Sequence, residues 1–323
     1  MELPRRQFLR LAGGAAALPP MSCIATAQSY PTRTVRIVVG YPPGITPDIV
    51  TRLIAQSLTE RLGQQFIVDN RPGASSNIAA EIVARAAADG YTLLTVTGTN
   101  AINTALYEHL NFDLIRDIAP VAGLIRSPNV LVVAPAVPAK TLAEFIVYAK
   151  ANPGKLNYAS TGSGSAANVA GELFKAMARI DLVHVPYRGS FFPDLLSGQV
   201  QATFSSIPQS IEFIRAGKLR ALAVTGVQQS DALPDTPTVA TLVPGYETYV
   251  WDGIGAPANT PVDIIDRLNI EINAALADPT MKARLADLGT EPMPMTPAEF
   301  GKFVTAEAEK AAEVIKSAGI KLD

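Results

Sequence analysis

Residues 34–40, T-V-R-I-V-V-G, followed by residues 48–62, D-I-V-T-R-L-I-A-Q-S-L-T-E-R-L, decide the class of this fold. The first is a short β-branched run closed by Gly40, the composition of a strand buried on both faces. The second carries Ile49, Leu53, Ile54 and Leu58 at helical spacing. Outward from this pair, residues 65–69 read as a strand, 78–88 as a helix and 91–97 as a strand. A β-α-β-α-β order implies parallel strands in an α/β layer.

The alternation restarts near residue 130. Strands are expected at 130–134, 156–160, 182–186, 202–204 and 220–225, with helices at 142–151 and 166–178 between the first three. Ser197-Gly198-Gln199-Val200 and Ala216-Gly217-Lys218-Leu219 each put a glycine where a helix needs a left-handed cap before a short strand. After a strand at 249–256 only helices follow. Thr260-Pro261-Val262-Asp263 and Thr296-Pro297-Ala298-Glu299 both read as a Thr N-cap, a Pro at the first helical position and an acid three residues after the cap. Val262, Ile265, Leu268, Ile272 and Leu276 form one apolar stripe that must pack on something already folded. The first unit lacks helices to cover its sheet, so the chain is expected to return to it. That gives a discontinuous domain 1 (28–130 and 250–323) and a domain 2 (131–249), with crossovers near 128–132 and 246–252. Two linked lobes with a cleft between them suit closure on a ligand.

The chain has 323 residues, 48% hydrophobic and 17% charged. It can therefore bury a large core and is not a disordered chain. Its 27 basic and 29 acidic residues leave no excess to neutralise a phosphate backbone, so nucleic acid is excluded as a partner. The single Cys rules out a disulfide framework and any site that needs several thiols. That residue, Cys23, lies in an N-terminus with a basic Arg5-Arg6-Gln7-Phe8-Leu9-Arg10 region, an apolar stretch from Leu11 to Leu18 and Ala25-Thr26-Ala27. Residues 1–27 thus read as an export signal cleaved near Ala27, and the apolar run is too short to span a bilayer. Arg5-Arg6 with Phe8 and Leu9 is similar to a twin-arginine signal; an ordinary secretory signal is the alternative, and Pro20-Met21-Ser22 before Cys23 is a poor lipidation context. Removing Arg5, Arg6, Arg10 and Glu2 turns the formal charge from -2 to -4. The mature chain is expected in the periplasm.

Three loops stand where α/β sheets bind ligands, at the carboxyl ends of strands. Gly162-Ser163-Gly164-Ser165-Ala166-Ala167 follows a strand and opens a helix. It matches G-x-G-x-x-A, but Asp181 begins the next strand instead of ending it, so a dinucleotide site is not expected. A helix N-terminus with free amides, suited to a small anion, remains; a turn that only caps its helix is the plainer alternative. Tyr41-Pro42-Pro43-Gly44-Ile45-Thr46-Pro47-Asp48 joins the first strand to the first helix, with Thr46 expected as N-cap. Asp48 there opposes an anion and is expected to stabilise the helix dipole, orient the loop or meet a ligand ammonium. Thr97-Gly98-Thr99-Asn100 is the third. Neither a nucleophile elbow, a phosphate-binding loop of the G-x-x-x-x-G-K type nor a zinc H-E-x-x-H occurs. His109 and His184 are expected to be structural, and no enzyme activity, metal or cofactor is expected.

Several ordered phrases resemble one family. They include Ile37-Val38-Val39 through Pro42-Pro43-Gly44, Asp69-Asn70-Arg71-Pro72-Gly73-Ala74, Asp89-Gly90-Tyr91-Thr92-Leu93-Leu94, Ala101-Ile102-Asn103 and Leu156-Asn157-Tyr158-Ala159-Ser160. Further on come Val183-His184-Val185-Pro186-Tyr187, the run Gly217-Lys218-Leu219-Arg220-Ala221-Leu222-Ala223-Val224-Thr225, and Leu233-Pro234-Asp235-Thr236-Pro237-Thr238-Val239. The sequence resembles the extracytoplasmic solute receptors of tripartite tricarboxylate transporters, the Bug or TctC-like receptors. The resemblance implies a two-lobed periplasmic-binding-protein fold of type II, closure around a small carboxylate held by loop amides, hydroxyls and water, and delivery to membrane subunits of a tripartite transporter. Departures from the family's usual pattern are Ile45 in place of a second Gly, Asn168 in place of a common His, Ser205 in place of a common Asp, and a shorter loop after Tyr187-Arg188-Gly189-Ser190. Phe191 and Phe192 in that loop are expected in the core, or as an apolar wall of the cleft.

The carboxylate is expected between Gly44, Thr46 and Thr99 on one lobe and Thr161, Ser163, Ser165 and Asn168 on the other, with Tyr187 or Arg188 closing over it. Tyr41, Asp48, Thr97, Asn100, Ser160, Gly164 and Ser205 complete the candidate set. A sensor for a two-component system is an alternative use of the same fold. An exported hydrolase would need Ser165 or Ser205 activated by His184. Charge gives no reason for a permanent partner, and a monomer is expected.

Overall fold

A computed structural model describes residues 30–187 and 190–321; the export segment, Cys23 and Arg188 lie outside the described residues. The opening stretch folds as β1 (Val35–Val39) and α1 (Thr46–Leu62), continued by β2 (Phe66–Asn70), α2 (Asn77–Ala84) and β3 (Thr92–Thr97). β1 lies between β2 and β3, parallel to both, with Val38 opposite Asp69 on one side and Leu94 on the other. Leu58 and Ile54 of α1 are fully buried on this sheet, as their spacing requires.

After α3 (Gly98–Leu106) and the single turn α4 (Leu114–Asp117) comes β4, Ile118–Val133, far longer than the strand read at 130–134. Pro120, Gly123 and Pro128 break the sequence pattern, yet the strand takes Pro120 and Gly123 at register shifts, where the missing N–H of Pro120 is tolerated. α5 (Leu142–Ala151), β5 (Asn157–Ser160), α6 (Ala166–Ala178), β6 (Val183–Pro186), α7 (Phe192–Ser197), β7 (Ala202–Ser206), α8 (Ile207–Arg215) and β8 (Arg220–Val224) build the second lobe. Gly198 and Gly217 sit at φ of 82° and 67°, the left-handed caps their phrases call for. The chain then returns through β9 (Tyr249–Pro257), α9 (Val262–Ala277), α10 (Pro279–Asp287), β10 (Glu291–Pro292) and α11 (Pro297–Ala318).

The sheet runs β2-β1-β3-β9-β4-β7-β5-β6, with β10 and β8 also on β4. Residues 118–128 of β4 pair with β9, whereas residues 129–133 pair with β7 and β8. One strand therefore belongs to both lobes. Thr225 ties the two passages together: its hydroxyl accepts from the Asn129 amide at 2.8 Å and donates to the Thr248 carbonyl at 2.8 Å. This is the two-lobed periplasmic-binding-protein fold with two crossovers.

Separate cores support the lobes. Ile37, Ile54, Leu58, Leu268, Ile272 and Leu276 belong to one, and Leu131, Phe145, Tyr158, Phe174, Phe204 and Tyr246 to the other. The α9 stripe begins at Ile265, because Val262 is 72% exposed. Thr260 is not the cap of α9: it is buried and its hydroxyl donates to the Pro257 carbonyl at 2.7 Å. Thr296 is a cap, accepting from the Glu299 amide while the Glu299 carboxylate accepts from the Thr296 amide at 2.9 Å. Among the described residues no helix is long and apolar enough to cross a membrane.

Candidate functional site

A cavity of about 530 Å³ opens between the lobes, a volume ordinary for a small-molecule site. Its polar wall is built from helix beginnings. Thr46 and Pro47 bring the start of α1, Gly98 and Thr99 that of α3, Ser165, Ala166 and Ala167 that of α6, and Ser206 with Gln209 that of α8. Pro47 and Pro208 supply no N–H and the Asn168 backbone amide is taken by the Ser165 hydroxyl, but the remaining first-turn amides and the positive dipole ends of four helices still converge, which favours an anion.

Of the expected residues, Tyr41, Thr46, Thr97, Thr99, Thr161, Ser163, Gly164, Ser165 and Ser205 line this cavity. Tyr41 packs with its hydroxyl 3.3 Å from the Thr97 hydroxyl. Burial pushes the Tyr41 phenol up, against the opposing effect of its bonds to Thr97 and Thr99, so it serves as a neutral hydrogen-bonding group.

Gly44, Asp48, Asn100, Ser160, Asn168 and Tyr187 do not line the cavity. Thr46 is the first helical residue and Ile45 precedes it as N-cap, so no hydroxyl caps α1. Asp48 instead folds inward at 2% exposure, accepting from the Gly44 amide at 2.8 Å, from Asn70 Nδ2 at 2.8 Å and from Arg52. Burial raises its carboxyl, but the Arg52, Gly44 and Asn70 bonds outweigh that and hold it below the usual range. Asp48 orients the loop, and in doing so uses the Gly44 amide that an anion would otherwise meet. Asn100 is the third residue of a capping box whose N-cap is Thr97, its Oδ1 accepting from the Thr97 amide at 2.9 Å. Ser160 is fully buried; its hydroxyl takes the Gly162 amide at 3.1 Å and lies 2.7 Å from His184 Nε2. Asn168 Oδ1 accepts from the Gly164 amide at 2.9 Å while its Nδ2 donates to the Tyr158 hydroxyl at 2.8 Å. That hydroxyl donates onward to Glu172 at 2.6 Å. Tyr187 donates to Asp194 at 2.7 Å, and its phenol is pushed up to about 12 by burial and that carboxylate; it is a brace of α7 and does not line the cavity.

The serine beside His184 is Ser160, locked in its turn, and neither Ser165 nor Ser205. Asp181 stands near Gly154, at the opposite end of β5 and β6 from the Gly162 loop, where no ribose of a dinucleotide on that loop could reach it. Phe191 joins the cavity wall while Phe192 stacks on Phe213 with ring centroids 5.0 Å apart.

Sequence reading passed over Ser75, Asn103, Tyr249, Trp251, Asp252, Glu307 and Lys310, all of which line the cavity. Ser75 is held by a run of left-handed residues, Ala74, Ser75 and Ser76 at φ of 46°, 51° and 73°, with its carbonyl accepting from Asn103 Nδ2 at 2.8 Å. Strain of that kind persists only where surroundings enforce it. A signal for Asp252 was present: an acid in the middle of the apolar run Tyr249-Val250-Trp251-Asp252-Gly253-Ile254. Burial alone pushes its carboxyl up to about 7.

Residues 50–320 match the family described as "Tripartite tricarboxylate transporter family receptor". The chain belongs to this family. The receptor is 35% identical over 322 residues to protein BugT of Bordetella pertussis, covering 98% of this chain and 96% of that protein. Among solved structures it is similar to Rpa4515 of R. palustris with adipate, at 39% identity and a TM-score of 0.78, covering 91% of this chain and 100% of that one. It is also similar to MatC (Rpa3494) of Rhodopseudomonas palustris with bound malate, at 31% identity and a TM-score of 0.73 over 88% of this chain and 100% of that one. The receptor is a solute-binding protein and not an enzyme.

Proposed function

We propose that this receptor captures a small carboxylate in the cleft between a lobe of residues 28–130 and 250–323 and a lobe of residues 131–249. It works in the periplasm after loss of residues 1–27, acts as a monomer and delivers its ligand to the membrane subunits of a tripartite transporter. The observation that carries the proposal is the opening of the α1, α3, α6 and α8 N-termini into one cavity. Fixed amides satisfy a carboxylate without a permanent cation, which suits a chain of net negative charge. The contacts assigned to the ligand are Tyr41, Thr46, Thr97, Thr99, Thr161, Ser163, Ser165 and Ser205. Adipate and malate in the two related structures support the ligand class.

A thermal-shift screen with C4 to C8 carboxylates tests it. A ligand at one hundred times its dissociation constant adds about 2.7 kcal/mol and raises the midpoint by several degrees. Ser163→Leu and Thr46→Leu are expected to abolish the shift while leaving the unliganded midpoint in place. If no carboxylate moves the wild-type midpoint, the ligand class is wrong. Delivery is checked by uptake of the labelled ligand into cells with and without the gene for this chain.

A further inference from the structure

At the cleft wall lies an acid for which a plain carboxylate has no use. Asp252 is on β9, in register opposite Thr97 of β3 and Ile125 of β4, and is 1% exposed. Neither carboxyl oxygen has a hydrogen-bond partner among the described residues. The other charged groups of the wall are matched: Glu307 accepts from Trp251 Nε1 at 3.2 Å and pairs with Lys310 at 3.3 Å. Among the described lining residues Lys310 is the one cation, so Asp252 is a surplus negative charge. Buried acids without partners are costly and concentrate at sites of function. The Tyr41 phenol from the loop after β1 and Thr97 of β3 are its neighbours, the Glu307–Lys310 pair of α11 lines the same cavity, and Arg126 of β4 stacks over Tyr249 with 5.0 Å to the ring centroid.

We infer that Asp252 is a ligand-binding residue that accepts from a protonated amine, so that the occupant of the cleft is an amino-substituted carboxylate: its carboxylate meets the helix N-termini and its ammonium reaches Asp252. This rests on the carboxylate reading above. A dicarboxylate brings two negative charges to a wall that already has an unmatched acid, whereas an ammonium supplies the missing counter-charge and hydrogen-bond donors at once. The near-complete burial of Asp252 admits only a small donor, which an –NH3+ group is.

Calorimetric titration of skeleton-matched pairs, aspartate against succinate and glutamate against glutarate, into the wild type and Asp252→Asn tests this, with n-butylamine as a carboxylate-free probe. The amino member is expected to bind at least about tenfold tighter to the wild type, and the advantage to vanish in Asp252→Asn. Asp252→Asn is also expected to unfold at the same or a higher temperature, since it removes a buried charge at constant volume; Asp252→Ala checks the binding result if the amide itself recruits ligand. If succinate or glutarate binds as tightly as its amino partner and Asp252→Asn leaves that unchanged, Asp252 has no such role and the carboxylate reading survives. Tighter binding of the plain acid with uptake of a proton that Asp252→Asn abolishes also overturns the ammonium assignment, making Asp252 a neutral donor. Binding of n-butylamine with no acid binding keeps Asp252 and overturns the carboxylate reading. Silence from every probe overturns both.

Discussion

The loop after β1 and the loop after β5 occupy matching places in the two lobes, yet they are held by opposite means. In the first, the Gly44 amide donates to a carboxylate, Asp48, which Arg52 and Asn70 also grip. In the second, the Gly164 amide donates to a neutral amide, Asn168, which Tyr158 braces in turn. Space differs as well. A side chain at Gly44 would meet nothing, whereas one at Gly164 would collide with Leu106 of α3, across the cleft in the other lobe. The first loop is organised by its own charges and faces solvent. The second is braced by a neutral amide and is one of the places where the lobes touch. Both termini have amides already taken, Gly44 by Asp48 at α1 and Gly164 and Asn168 by the Asn168 and Ser165 side chains at α6, and the difference is that α1 carries a carboxylate in its first turn.

Several changes would break or sharpen this contrast. Gly164→Ala should have the largest effect, about 2–4 kcal/mol of stability, because φ is 75° and the added carbon strikes Leu106. Urea unfolding measures it, and a cost no greater than that of Gly44→Ala would erase the distinction. Asp48→Ala should cost about 2 kcal/mol by releasing hydrogen bonds to a charged group. Because the Asp48 carboxyl is held below its ordinary range in the folded state, its contribution is present at neutral pH and is lost as pH falls toward the folded value. The urea midpoint of the wild type should accordingly drop more steeply on acidification than that of Asp48→Asn. Asn168→Asp keeps an acceptor for the Gly164 amide but adds a negative charge beneath the α6 terminus. Carboxylate affinity should fall about tenfold, roughly 1.4 kcal/mol by calorimetry. The corresponding neutralisation Asp48→Asn should change affinity far less, since Arg52 already offsets that charge. Gly44→Ala should cost the least, about 1 kcal/mol, from its φ of 88° alone.

How far local pattern carries is visible in two phrases of the same form. Thr296-Pro297-Ala298-Glu299 closes the reciprocal cap its sequence encodes, but Thr260-Pro261-Val262-Asp263 does not. Thr260 is buried at the end of β9 and bonds Pro257, so the helix starts one residue later with no side-chain cap. Nothing within either phrase distinguishes them. The same holds at the site. Hydroxyl and glycine residues at the ends of β1, β3 and β5 were readable because helix beginnings after parallel strands have a fixed sequence form. Whether Thr46 or Asp48, Ser165 or Asn168 faces the ligand was not, because a cap and a ligand compete for the same amides.

Periodicity and turn chemistry alone determined an α/β chain and led to the expectation of two units, a C-terminal return to the first, and three loops placed to meet an anion. These depend on contacts within a few residues, which the order of side chains specifies directly. Tertiary structure decided that β4 runs unbroken through two prolines from one lobe into the other, because pairing with β9 absorbs its irregularities. It also decided that Trp251, Asp252, Glu307 and Lys310, far apart from those loops in the chain, complete the wall. Their role depends on which strand lies beside β3 and which helix covers it, a result of packing between distant segments and not of any local propensity.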